Sequence, residues 1–174
     1  MKKNILLIIT VIICVIFMTA CFDKSKEEKI ELKDSKLKLK TVLEYNKDEG
    51  FKKEKDVTGG KYAEVEFSNE KENLYFDMYY SKSSKETSKS VKEDRKNNKY
   101  YKEYKYNGYE AYAYSEFKDN INLVLTIKNE NKDTIELFIA ITSIKYEKEK
   151  VLFDIFDKSK VIQEFFESIK ITEE

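Results

Sequence analysis

Tyrosine is the residue type whose spacing in this sequence most suggests a chemical role. The chain contains 13 tyrosines, and seven of them fall between residues 100 and 114. Each ring offers a flat apolar face and a hydrogen-bonding hydroxyl, so a patch of rings can stack on the sugars of a cell-wall glycan or bury in a partner protein. Cross-strand packing within a sheet is the alternative, because aromatic pairs stabilise sheets without a ligand. Five rings are predicted to line a binding face: Tyr104, Tyr106, Tyr109, Tyr112 and Tyr114.

The remaining reactive side chains give little support for catalysis. The chain has no histidine, which excludes Ser-His-Asp and Cys-His catalysis and every histidine-ligated metal site. Asp154 and Asp157 could form a carboxylate pair, and Ser81 is next to Lys82, but with 33 acidic residues such pairs arise by chance. Nothing around them indicates a desolvated lysine. We therefore expect a protein that is not an enzyme and that holds no metal and no cofactor.

The balance of charges narrows the class of partner. The 33 basic residues equal the 33 acidic residues, so the formal net charge is zero, whereas a nucleic-acid groove needs a basic excess. Arg95 is the single arginine of the chain, which excludes a phosphate site built from several guanidinium groups. We expect no nucleic-acid partner.

The N-terminus has the features of a secretory signal peptide. Two lysines follow Met1, and residues 5–18 form a nearly unbroken apolar run before the small residues Thr19 and Ala20. The run of about 14 residues is shorter than the roughly 20 that a membrane-spanning helix needs, which argues against the alternative of an uncleaved membrane helix. We predict a signal peptide over residues 1–20.

The end of this segment resembles the bacterial lipobox in the residues Met18-Thr19-Ala20-Cys21, with Met18 where leucine is usual. The resemblance implies that Cys21 receives a diacylglyceryl group and becomes the first residue of the mature chain. The protein would then lie on the outer side of the cell membrane, anchored through lipid on Cys21. Two or three acyl chains make a stable anchor. The composition, rich in lysine, asparagine and tyrosine, suggests a Gram-positive bacterium.

The mature chain is predicted to be one α+β domain behind a charged tether. Residues 21–36 contain few apolar residues and are interpreted as the tether, and residues 37–174 as the domain. Period-two alternation predicts an antiparallel sheet of about five to seven strands. A polar helix capped by Ser83 or Ser84 interrupts the strands, and an amphipathic helix, breaking near Ser159, follows them and packs on the sheet.

The order of these elements resembles the PsbP-like fold over residues 37–172. The resemblance is carried by the turn and strand at residues 107–111, which follow the polar helix, and by the C-terminal helix that closes in residues 168–171. A half-barrel similar to LolA-like lipoproteins is the alternative fold. PsbP-like domains are mostly binding or assembly modules, which implies a non-catalytic binding or assembly module of the cell envelope. Its partner would be an envelope protein or a cell-wall glycan.

A carrier or sensor of a small apolar ligand is the alternative function. The ligand would lie between the sheet and the C-terminal helix, and the side chains lining its cavity would be Leu152, Ile155, Phe156 and Phe166.

Overall fold

The computed structural model describes residues 27–57, 63–117, 119–130, 132–143, 145 and 149–173. The predicted signal peptide, the lipidation site at Cys21 and residues 22–26 of the predicted tether lie outside this part of the chain. Within it, no helix is both long and apolar enough to cross a membrane.

Ten strands of the described chain form two antiparallel sheets. In chain order they are β1 (Glu27–Asp34), β2 (Leu39–Asn46), β3 (Phe51–Val57), β4 (Glu64–Asn69), β5 (Leu74–Ser84), β6 (Lys102–Tyr106), β7 (Tyr109–Phe117), β8 (Asn120–Glu130), β9 (Asp133–Ser143) and β10 (Lys170–Glu173). The larger sheet has the strand order β3-β4-β5-β9-β8-β7-β6, and the smaller one β1-β2-β10. The predicted α+β class with antiparallel strands is confirmed.

Three α-helices accompany these strands, and two of them begin at serines that the sequence offered as signals. Helix α1 (Lys85–Arg95) begins after Ser84, whose hydroxyl accepts a hydrogen bond from the Thr87 backbone N–H at 3.1 Å. The amphipathic C-terminal segment forms α2 (Glu149–Lys158) and α3 (Lys160–Glu167), with Ser159 as the N-cap of α3. The β6–β7 turn has Asn107 and Gly108 at φ values of 44° and 90°, the left-handed conformation that these two residue types tolerate best.

Strand β1 corrects the predicted boundary between tether and domain. Residues 27–34 were assigned to the solvated tether, but they pair with β2 along their whole length. Ile30 and Leu32 are 0% and 2% exposed. Two apolar residues at period-two spacing are enough to dock an edge strand whose other face carries charge, and the high charge of the segment concealed this pattern. Residues 27–34 therefore belong to the folded domain.

The core lies between the inner face of the large sheet and a layer made of the small sheet, α2 and α3. Phe165 on α3 is at its centre. Its ring is 1% exposed and stacks on Phe51 of β3, with the ring centroids 4.0 Å apart. It also contacts Tyr45 of β2 at 6.3 Å and Phe67 of β4 at 5.6 Å. Phe165 therefore joins the C-terminal helices to both sheets.

Truncating this ring should test how much the domain depends on that contact. We expect Phe165→Ala to lower the free energy of unfolding by about 3 to 5 kcal/mol, because a buried ring is lost and a cavity remains. Val151→Ala, at a position that is 37% exposed on α2, should change it by less than about 0.5 kcal/mol. Urea unfolding of the two variants measures both values, and similar losses in the two would contradict this description of the core.

Candidate functional site

The five tyrosines of the predicted binding face lie on opposite faces of the large sheet. Tyr104, Tyr106 and Tyr109 lie on the inner side with the core, whereas Tyr112 and Tyr114 are on the outer side. Successive side chains of a strand point to opposite faces. Tyrosines that are close in sequence therefore do not form a single surface here. The prediction of a single exposed tyrosine face is corrected accordingly.

The three inner tyrosines attach the C-terminal elements to the edge of the sheet. Tyr104 donates a hydrogen bond from its hydroxyl to Asp157 Oδ1 at 2.9 Å, and Tyr106 donates to Gln163 Oε1 at 2.8 Å. The Tyr109 hydroxyl is 3.4 Å from the Ile171 carbonyl oxygen. Burial raises the pKa of Tyr104 and of Tyr106, so both hydroxyls stay protonated donors. These contacts fit the packing interpretation.

The two outer tyrosines lie beneath α1. Tyr112 and Tyr114 are 2% and 5% exposed. The Lys92 ammonium nitrogen is 5.5 Å from the Tyr112 ring centroid, and the Arg95 guanidinium carbon is 4.9 Å from that of Tyr114, both within cation–π range. Replacing either ring with serine would therefore remove the surface on which α1 rests.

A buried carboxyl completes the contact between α1 and the sheet. Glu136 on β9 is 5% exposed and accepts a hydrogen bond from the Ser88 hydroxyl at 2.8 Å. Burial raises the pKa of Glu136, while the hydrogen bond from Ser88 acts in the opposite direction. No residue of α1 is itself buried, so this helix covers the sheet with polar side chains.

Helix α1 leaves part of the outer sheet face uncovered. The register places Glu64 on β4 opposite Tyr79 on β5, and Tyr79 opposite Phe138 on β9. These side chains are half-buried, and in the described chain no hydrogen bond, ion pair or ring contact joins α1 to them. We name this region the open face; its residues are Glu64, Glu66, Tyr75, Asp77, Tyr79 and Phe138.

Aromatic contacts organise one half of the open face. The rings of Tyr79 and Phe138 are stacked, with centroids 5.6 Å apart and planes 9° from parallel. Tyr75 donates a hydrogen bond from its hydroxyl to Glu66 Oε2. Burial, together with this bond, raises the pKa of Tyr75 to about 12, so the hydroxyl is protonated at physiological pH. The stacked rings form a flat, partly exposed apolar surface beside carboxyl groups.

Carboxyl groups form the other half. Burial raises the pKa of Asp77 to about 7, and a side-chain hydrogen bond with Glu64 and the negative charges of Glu64 and Glu66 add to this effect. The Oδ1 atom of Asp77 is enclosed and accepts no hydrogen bond from the described residues. Asp77 therefore lies beside the negative charges of two other carboxyl groups on one surface.

The open face presents aromatic rings and carboxyl groups side by side. Within the described residues, no group of three His, Cys, Asp or Glu side chains is arranged to hold a metal ion. Half-exposed tyrosines beside acceptor oxygens can take up apolar, hydrogen-bonding and cationic groups. The alternating pattern of β5 did place Asp77 and Tyr79 together on one face. Phe138 was missed because β9 is apolar on both faces, so its sequence does not show which face is exposed.

A concave region elsewhere on the surface has charged side chains that already bond to other parts of the chain. A cavity of about 540 Å³ near the start of α1 is lined by residues that include Asp34, Lys82 and Asp133. The Asp34 carboxylate accepts hydrogen bonds from the backbone N–H groups of Lys36 and Leu37 at 2.9 Å each. Lys82 and Asp133 form an ion pair at 2.7 Å. These charged groups are thus already engaged by the chain itself.

The residues considered for a carrier cavity are packed together. Leu152, Phe156 and Phe166 are 0% exposed, and Ile155 is half-buried. The Phe156 and Phe166 ring centroids are 6.0 Å apart, and Tyr104 packs edge-on against Phe156 at 5.5 Å. The Phe156 ring thus contacts the other two rings at ordinary packing distances, and Ile155 packs against the same core from its margin.

No protein-family description, curated protein or solved structure matches this chain. The site therefore has to be interpreted from its own geometry.

The raised pKa of Asp77 leads to a prediction about how stability changes with pH. Asp77 has its pKa raised from 3.8 to about 7 in the folded state, so its proton stabilises the fold fully below about pH 4, and this stabilisation is lost as the pH rises through 7. An asparagine side chain at this position would be neutral at every pH. We expect Asp77→Asn to raise the free energy of unfolding by about 1 kcal/mol at pH 8 and to change it little at pH 4. The gain is small because the carboxyl is partly exposed and water screens its interactions.

Urea unfolding at pH 4, 6 and 8 measures this difference between the variant and the wild type. Asp154→Asn, which alters an exposed i,i+4 ion pair on α2, is the control for loss of one carboxylate. A difference between Asp77→Asn and wild type that stays constant with pH would contradict the assignment.

Proposed function

We propose that this protein is a membrane-anchored lipoprotein of the cell surface that acts as a non-catalytic binding or assembly module, with the open face as its contact surface. The observation that carries the proposal is the stacked Tyr79–Phe138 pair, half-exposed on a strongly paired sheet. Rigid aromatic side chains with few rotatable bonds are enriched at protein interfaces. The partner would be another envelope protein or a cell-wall glycan.

The rigidity of the sheet supports this assignment. Strands β4, β5 and β9 pair over their whole lengths in the register described above. Their inner-facing residues Phe67, Phe76 and Ile139 are 0% exposed, so the backbone that carries the open face is fixed from below. A surface on rigid elements is ordered before its partner arrives, which reduces the entropic cost of binding.

The anchoring half of the proposal is supported by the N-terminal sequence. The lipobox-like residues end at Cys21, and the charged residues that follow it lead into β1. The PsbP-like resemblance belongs to the same proposal. It is supported by the polar helix α1, the β6–β7 hairpin that follows it and the return of the chain from α3 into β10.

The carrier alternative receives no comparable support, because two of its proposed lining residues, Phe156 and Phe166, pack on each other and Phe156 also packs on Tyr104. A non-catalytic role also fits a chain without histidine.

Removing one ring from the open face should test the proposed contact. We expect Tyr79→Thr to reduce at least severalfold the amount of envelope partner crosslinked to the protein in intact cells, because the stacked surface is lost while threonine preserves strand propensity. The measurement is quantitative mass spectrometry of the crosslinked pull-down. Tyr100→Thr is the matched control: it removes another half-buried tyrosine, one that packs on Phe153 near the opposite edge of the sheet.

Thermal melting of both variants establishes that they are folded. Equal recovery of the partner with Tyr79→Thr and with Tyr100→Thr would exclude the open face as the contact surface.

The lipid anchor has its own test. We expect Cys21→Ser to abolish incorporation of an alkyne-labelled palmitate and to move the protein from the membrane fraction to the medium, because the thiol is the acylated group and its acyl chains are the anchor. Cys14→Ser, within the predicted signal peptide, should leave labelling and fractionation unchanged. Continued labelling of the Cys21→Ser protein would disprove acylation at this position.

A further inference from the structure

Three carboxyl groups of the open face lie side by side without an ion pair to a lysine or arginine of the described residues. Elsewhere lysines lie close to acids, as in the Lys47–Glu28 and Lys170–Glu44 pairs, each with 2.7 Å between nitrogen and oxygen. In the described part of the chain, no lysine or arginine forms an ion pair with Glu64, Glu66 or Asp77. A chain with equal numbers of acids and bases thus leaves one surface negative.

The nearest candidate for an internal partner is Lys55. It is opposite Glu66 in the pairing of β3 with β4, but the register shifts between Lys53 and Lys55, and Lys55 is exposed and forms no ion pair with Glu66. Strand β3 therefore places one lysine beside three carboxyl groups, and it leaves the open face with more acidic than basic side chains.

The aromatic part of the open face suits the same kind of group. Tyr79 is opposite Glu64 and is two residues from Asp77 on the same face of β5. Side chains at such positions are within about 5 to 8 Å of one another. An ammonium or guanidinium group over a tyrosine ring gains from the ring's negative face, and neighbouring carboxylates add ordinary charge attraction. The described residues contain this combination under α1, where Lys92 lies over Tyr112 and pairs with Glu103 at 3.3 Å. They contain it again at the edge of the sheet, where Lys102 lies over Tyr104 and pairs with Asp157 at 2.6 Å.

A neutral partner would fit less well. Covering the open face with uncharged sugar would remove water from three carboxyl groups without giving them a counter-charge, and this desolvation opposes binding. Resting on the proposed function, we infer that the occupant of the open face is a lysine- or arginine-rich segment of a partner protein, held by the carboxylates of Glu64, Glu66 and Asp77 and by the ring of Tyr79.

A blocked, fluorescently labelled octalysine peptide is the probe for this inference. We expect wild type to bind it and the Glu64→Gln/Glu66→Gln variant to bind it about tenfold more weakly, because two charge contacts are lost while shape and hydrogen-bonding atoms are kept. The matched control is Asp154→Asn/Glu164→Gln, which removes two carboxylates from α2 and α3. It should bind within about twofold of wild type. Fluorescence anisotropy at low and at moderate salt measures the affinities, and salt should weaken wild-type binding.

Equal losses in the two double variants would overturn the inference, since binding would then depend on total charge only. Absence of binding by wild type would overturn it as well. Tyr79→Thr gives a second readout: with the carboxylates intact, it should also weaken peptide binding, whereas an unchanged affinity would remove the ring from the site.

The crosslinking pull-down separates this inference from the proposed function. If Tyr79→Thr loses the envelope partner but Glu64→Gln/Glu66→Gln retains it, the proposed binding function is supported. The inference that a lysine- or arginine-rich segment occupies the open face is then wrong. If a purified cell-wall glycan fragment binds wild type and octalysine does not, the partner is a glycan and the inference is again wrong. If no envelope partner depends on Tyr79, the proposed function fails whatever the peptide does.

Discussion

The stacking of Phe165 on Phe51 is the contact on which the rest of this domain depends. Phe165 belongs to a short helix, yet it also touches rings of β2 and β4, so one side chain joins the C-terminal helices to both sheets. With this contact in place the inner face of the large sheet is closed. The outer face of the same sheet is covered by α1 only in part.

Local signals in the sequence predicted much of the secondary structure. A serine before a polar helix, an Asn-Gly pair between strands and a serine within an amphipathic run each act through neighbouring backbone groups, and Ser84, Asn107-Gly108 and Ser159 all proved to lie at such ends. The alternation in β7 also assigned Tyr112 and Ala113 correctly to opposite faces.

Features that depend on distant contacts could not be predicted in this way. Strand β1 is stable because it pairs with β2 and buries Ile30 and Leu32 in the core. The charged sequence of β1 shows neither the strand that pairs with it nor the core that covers these two residues. The same limit applied to the site. A tyrosine is exposed or buried according to what crosses over it, and α1 crosses over Tyr112 but not over Tyr79. The segment richest in tyrosine therefore turned out to be packed within the domain, whereas the open face contains only two tyrosines, Tyr75 and Tyr79.

Two kinds of polar contact coexist on the outer face of the sheet. Under α1, the polar groups of the helix contact the sheet directly. Lys92 and Arg95 lie over tyrosine rings, and the Ser88 hydroxyl donates a hydrogen bond to Glu136. On the open face, tyrosine rings and carboxyl groups lie side by side without an ion pair within the described residues. The two regions meet at Phe138, which stacks on Tyr79 and also packs against the cluster of Tyr112, Tyr114 and Val124 under α1.

The early start of β1 also limits where the domain can work. With lipid on Cys21, as we propose, only residues 22–26 separate the bilayer from Glu27, and fully extended they reach about 20 Å. The domain would then move in the plane of the membrane, close to the headgroups, and would meet partners by lateral diffusion. Such confinement raises the local concentration of two membrane-bound proteins, so a weak contact could suffice for a lasting encounter.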